Sequence, residues 1–182
     1  MTAYISMLRG INVSGQKPIR MDDLRRAYSA LGLRDVASYV QSGNVVFTSL
    51  DSSADFLAAR IEAQIETTFG YRVPVFIRRV EDFRRILGSN PFLTARVEDS
   101  ARLYVTFLYR QPTQAEWGSL KPPANTQDEF AIGEQEVYLF CPGSYGTTKL
   151  NNTFFEKKMG IPTTTRNWNS VNALHALGQG LV

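Results

Sequence analysis

A chain of 182 residues with 43% hydrophobic and 20% charged side chains is long enough for one generous domain or two small ones, and its composition excludes wholesale disorder. Its single cysteine, Cys141, rules out an intramolecular disulfide, and with only His175 beside it no Cys/His metal cluster can form. The net charge of +3 is uneven: residues 1–48 carry six basic and three acidic side chains, residues 49–140 ten and thirteen, and residues 141–182 four and one, so the two ends are electropositive and could face one anionic ligand.

Tyr4-Ile5-Ser6-Met7-Leu8 opens a short buried strand over residues 3–8. The run is too short for a signal-peptide core and is followed at once by Arg9. No apolar stretch approaches the roughly 18 residues that span a bilayer, so a cytoplasmic, reduced environment without membrane contact is the expectation. A Gly/Asn/Pro-rich loop runs to Pro18. Met21, Leu24, Tyr28 and Leu31 then recur at three- and four-residue steps, predicting an amphipathic helix over about 20–31. Asp22 and Asp23 suit its first turn and Gly32 its end.

Residues 36–41 and 44–49 read as two strands joined across Ser42-Gly43. The segment Asp51 to Ser53 can cap a second helix, with Leu57, Ile61, Ile65 and Phe69 as its stripe and Gly70 as its stop. A strand over residues 73–77 completes the order strand, helix, strand, strand, helix, strand. Right-handed crossovers fold that order most simply into a ferredoxin-like antiparallel sheet, 4-1-3-2, with both helices on one face. This topology brings Arg9-Gly10-Ile11-Asn12 next to Gln41-Ser42-Gly43-Asn44, with Tyr71 and Arg72 arriving at the same edge.

The second half is less regular. It is expected to hold a short helix from Glu81 to Leu87, a turn at Asn90-Pro91-Phe92, a strand over residues 103–109, and one short helix in the proline-punctuated stretch beyond. A hairpin follows over residues 128–132 and 136–140, then a helix capped by Thr148 over residues 149–159, and a last helix from Asn169 to Leu177. The expected fold is α+β: a ferredoxin-like N-terminal domain, residues 1–79, followed by a smaller α+β portion, residues 80–182, packed on it. No internal repeat is evident.

The segment from Gly10 to Pro18 superficially resembles a phosphate-binding P-loop. Gln16 intervenes before Lys17 and Pro18 follows it, so the motif's Lys-Ser/Thr pair is missing. Close backbone approach at the glycines, with Arg9 and Lys17 nearby, still suits an anion. The alternative is that Arg9 pairs with a carboxylate while Asn12, Gln41 and Asn44 hydrogen-bond loop backbone. In the tail, Arg166 and Lys149 could clamp a phosphate or carboxylate while Trp168 stacks on a ring. Equally, Asn167 or Asn169 could cap the last helix while Trp168 plugs a core. Cys141 reads as a buried structural thiol and His175 as a helix residue, and no nucleophile, general base or metal set emerges.

Five blocks, Tyr4 to Val13, Tyr39 to Phe47, Asn90-Pro91-Phe92, Lys149-Leu150 with Asn152, and Thr165 to Asn169, closely resemble those of the bacterial domain-of-unknown-function family numbered 1697. The resemblance implies a ferredoxin-like unit followed by a second α+β portion. Its characteristic polar positions are Arg9, Asn12, Gln41, Ser42, Asn44, Lys149, Arg166 and Asn167. It implies no cofactor and supplies no catalytic residue. Ser14-Gly15 stands here where the family usually has a glycine pair.

Together these features lead to an expectation: those eight residues bind a small anionic or nucleotide-like metabolite in a polar cleft between the halves. Two alternatives stand beside it, a nucleic-acid-binding or accessory module, and a structural or interaction protein whose polar blocks merely fasten the fold.

Overall fold

A helix-and-strand pattern occurs twice along the chain. The computed structural model describes residues 1–182. In the first pass β1 (Thr2–Leu8), α1 (Met21–Ala30), β2 (Arg34–Tyr39), β3 (Asn44–Ser49), α2 (Ala54–Phe69) and β4 (Val75–Arg79) lead into α3 (Val80–Gly88). In the second, after the single-turn α4 (Pro91–Thr94), come β5 (Leu103–Leu108), α5 (Gln114–Gly118), β6 (Glu129–Ile132), β7 (Glu136–Phe140), α6 (Asn152–Met159) and β8 (Thr163–Asn167), which leads into α7 (Trp168–Gln179). The two sheets are antiparallel, in the orders β2-β3-β1-β4 and β6-β7-β5-β8. Each is the ferredoxin-like arrangement expected for the N-terminal part.

The correspondence extends to single hydrogen bonds. Leu8 donates its N–H to Gly43 O at 2.9 Å and Arg9 to Pro74 O at 3.1 Å; Leu108 donates to Gln135 O at 3.1 Å and Tyr109 to Pro162 O at 3.0 Å. Arg78 stands opposite Ile5 as Arg166 stands opposite Val105.

Alternation puts Tyr4, Leu8, Val45, Phe47, Val75 and Ile77 on the face of the first sheet that meets Leu24 and Tyr28 of α1 and Leu57, Ile61 and Ile65 of α2. Ser53 caps α2, its side chain accepting from Phe56 N–H at 3.2 Å, and Gly70 ends it in the left-handed region. In the second sheet Leu108, Val137 and Leu139 pack with Leu150, Phe155 and Met159.

Contacts divide the chain into Met1–Arg84 with Ala173–Val182, and a smaller unit, Arg85–Asn172. A single cut at 79/80 was expected. By contacts the change falls inside α3, and the end of α7 groups with the first unit. There Gly178 lies so close to Ile5 and Val80 that a Cβ would stand 2.5 Å from Val80 Cγ2.

Two local expectations are corrected. The polar stretch from Thr163, where no element was expected, is strand β8 paired with β5. Its threonines are β-branched, and Thr165 Oγ1 lies 2.8 Å from Thr106 Oγ1 across the pair. The cap of α6 is Asn151, accepting from Phe154 N–H at 2.9 Å, rather than Thr148. The Thr148 hydroxyl is committed elsewhere, donating to Asp128 Oδ2 at 2.5 Å.

Candidate functional site

In the first unit, register fixes which loops meet. Met7 pairs with Asn44, so the end of β1 lies beside the start of β3. Arg9, Asn12, Gln41, Ser42 and Asn44 are thereby gathered at one end of the sheet. Asn12 holds that end together. Its Oδ1 accepts from Ile19 N–H at 2.8 Å, while Nδ2 donates to Ile19 O at 2.9 Å and to Gln41 O at 2.8 Å. An asparagine tolerates the backbone this requires, φ +55°. Asn44 is fully buried and donates to Tyr39 O at 3.3 Å and Ser42 Oγ at 2.9 Å, closing the β2–β3 loop on itself. Lys17 Nζ donates to Arg72 O at 2.7 Å, and Arg9 is half-buried. Most of these polar groups are therefore engaged in building the loops.

The other three expected residues lie in the second unit. Lys149 Nζ donates to Ala124 O at 2.8 Å and Asn125 O at 3.3 Å, fastening a loop. Asn167 Oδ1 accepts from Ser170 N–H at 2.8 Å and so caps α7. Trp168 is buried. Arg166 donates from Nη1 to Thr164 Oγ1 at 2.9 Å and Thr165 O at 3.0 Å, and burial pushes its guanidinium down to about 10. Cys141 is buried with its Sγ 3.7 Å from Thr148 Oγ1, and burial pushes its thiol up to about 11, the pattern of an inert structural cysteine.

Immediately beside the loop cluster a pocket of about 380 Å³ opens between the start of α1 and the end of β2, lined by Arg20, Met21, Asp22, Arg25, Ser38, Val40 and Gln41. Arg25 is held in place from both sides, donating to Asp22 Oδ1 and to Ser38 Oγ. Arg20 is exposed and its guanidinium has no partner in the fold; the Gln41 side-chain amide is likewise unengaged. Arg20 is also the N-cap residue of α1 and makes no side-chain cap, so the first-turn N–H groups are uncapped. Val40 has φ +52°, a strained setting for a β-branched residue, and remains 51% exposed at the pocket wall.

Sequence reading found Gln41 but passed over Arg20, Arg25, Ser38 and Val40. Arginines on an amphipathic helix look like solvated charges. The available signal was the lack of a Ser, Thr, Asp or Asn at the cap position before Met21.

The second unit shows what closure of the corresponding place looks like. At α5, Thr113 and Glu116 form a capping box. Glu116 accepts from Thr113 N–H at 2.8 Å and from both terminal nitrogens of Arg110 at 2.9 and 2.6 Å, and it is held down to about 2, chiefly by Arg110. An internal carboxylate thus sits between an arginine and a helix start.

Two four-stranded antiparallel sheets carrying helices define an α+β protein with duplicated ferredoxin-like topology. More particularly, the chain belongs to the family described as Protein of unknown function (DUF1697), which matches residues 1–138. Among solved structures it is similar to the conserved bacterial protein SP0830 from Streptococcus pneumoniae, at 24% sequence identity and a TM-score of 0.72, covering 97% of this chain and 98% of that one. That likeness concerns the fold. Nothing among the curated proteins matches the chain. No helix is long and apolar enough to cross a membrane.

Proposed function

We propose that the protein binds a small anionic, nucleotide-like ligand in the pocket between α1 and β2 of the first unit. The observation that carries this reading is the unengaged Arg20 guanidinium and Gln41 amide lining one cavity of about 380 Å³. Such a volume lies within the usual range of small-molecule sites, about 300–1,000 Å³. Arg25, fixed by Asp22 and Ser38, adds a second guanidinium whose position is set before any ligand arrives. The uncapped start of α1 adds backbone donors and a favourable dipole.

Thermal shift and calorimetry with inorganic phosphate and phosphorylated small molecules test the reading. A ligand present at 100 times its dissociation constant stabilises the fold by about 2.7 kcal/mol. The shift is expected to vanish in Arg20→Ala and Gln41→Ala and to persist in Arg84→Ala, an exposed residue on α3. Flat responses throughout, or equal loss in Arg84→Ala, would refute the site.

A further inference from the structure

The carboxylate of Asp22, which holds Arg25 in place through Oδ1, also lines the pocket. We infer that the ligand is a phosphorylated polyol, a molecule carrying hydroxyl groups beside its phosphate, and that Asp22 determines specificity by accepting from those hydroxyls. This rests on the reading of the pocket as an anion site and deepens it.

An acid lining an anion site opposes binding by like charge, which its ion pair with Arg25 offsets in part. Asp22 Oδ1 accepts from Arg25, while Oδ2 has no partner in the fold. Among the unengaged groups of the cavity are therefore donors, on Arg20 and Gln41, and an ionised acceptor, Asp22 Oδ2. A complementary ligand presents both an anion and a hydrogen-bond donor. Arg25 already offsets the charge of Asp22, so the remaining oxygen serves a neutral O–H better than it serves an ammonium group. The planar Arg20 guanidinium can pair two N–H groups with two oxygens of a phosphate. Val40, held exposed by its strained backbone, offers carbon surface to the ligand's skeleton.

The test uses the full chain and compares ligands that share an anion and differ in hydroxyls: propyl phosphate, glycerol 1-phosphate and ribose 5-phosphate, with inorganic phosphate and phosphoethanolamine alongside. In the native protein the hydroxylated compounds should bind about tenfold or more tighter than propyl phosphate, the increment of a hydrogen bond to a charged group. In Asp22→Ala that ratio should fall towards one. In Asp22→Asn, whose amide oxygen still accepts, part of it should survive. Because each ratio is taken within one variant, any shift of Arg25 affects both of its terms. A ribonucleoside monophosphate binding tighter than ribose 5-phosphate would support the inference and identify a nucleotide as the source. Equal binding of propyl and glycerol phosphate would overturn the role of Asp22 while leaving the anion site standing. Tightest binding by phosphoethanolamine would overturn it in favour of an amine. Silence from every compound would sink the anion site and this inference together.

Discussion

Gly43 is the residue whose identity the loop cluster depends on most. Its φ is +77°, and a Cβ there would stand 2.7 Å from Leu8 Cβ and 2.8 Å from Ile11 Cδ1. Both the backbone conformation and the space exclude a side chain. Its carbonyl also accepts from Leu8 N–H, so a shift of the loop would pull on β1. Gly43→Ala is expected to cost about 3 kcal/mol, the sum of overpacking and left-handed strain. The measurement is the urea midpoint, with the m-value unchanged. Gly10 is a contrast: its φ is +72° but nothing lies within 4 Å of the added atom. Gly10→Ala should therefore cost about 1 kcal/mol, the backbone part alone.

At the scale of elements, a bidentate ion pair in the second unit joins α3 to β7. Glu136 is fully buried and accepts from Arg85 Nη1 at 2.7 Å and Nη2 at 3.1 Å. Its carboxylate also accepts from the N–H of Glu134 and Gln135, which pins the β6–β7 turn. Hydrogen bonding to Glu136 raises the Arg85 pKa, so the guanidinium stays charged. Arg85→Ala leaves a buried carboxylate without its cation and is expected to destabilise by about 3 kcal/mol. Arg85→Lys, which keeps the charge and loses the fork, should cost less. Chemical denaturation of the two variants side by side checks the order.

The same scale explains what the sequence disclosed. The first unit was legible through β4 because apolar residues mark its helices and strands with clean periods, and glycines punctuate them. Strand β8 was not, because its buried positions are filled by threonines: the Thr163 hydroxyl donates to Asn152 of α6 and that of Thr164 accepts from Arg166, while half-buried Thr165 meets both Asn152 and, across the pair, Thr106. The repeat stayed hidden because α5 has five residues where α1 has ten, which erases the periodic signal. Of the candidate site, the meeting of the loops at residues 9–12 and 41–44 followed from topology. Which polar groups would be consumed by that meeting did not, since it depends on side-chain hydrogen bonds such as those of Asn12.

For the whole molecule, the defining feature is the interleaving of the two units along the chain. The first is completed only by residues 173–182, among which Leu174 and Gly178 are buried. Ending the chain at Asn172 uncovers Ile5 and Val80 where Gly178 packed and removes Leu174. The burial of that leucine alone is worth about 2 kcal/mol. The truncated chain is expected to unfold at a clearly lower temperature, with the greatest loss of amide protection in β1. Unchanged protection in β1, followed by hydrogen exchange, would contradict the packing assigned to α7.

That interleaving also sets an order of events during synthesis. Ala173–Val182 are translated after every residue of Arg85–Asn172. The first unit therefore cannot be completed until every residue of the later one has been translated, so it departs from the usual N-terminal-first sequence of domain folding. Until then the nascent first sheet must wait with Ile5 and Val80 unclad at the place where Gly178 will settle.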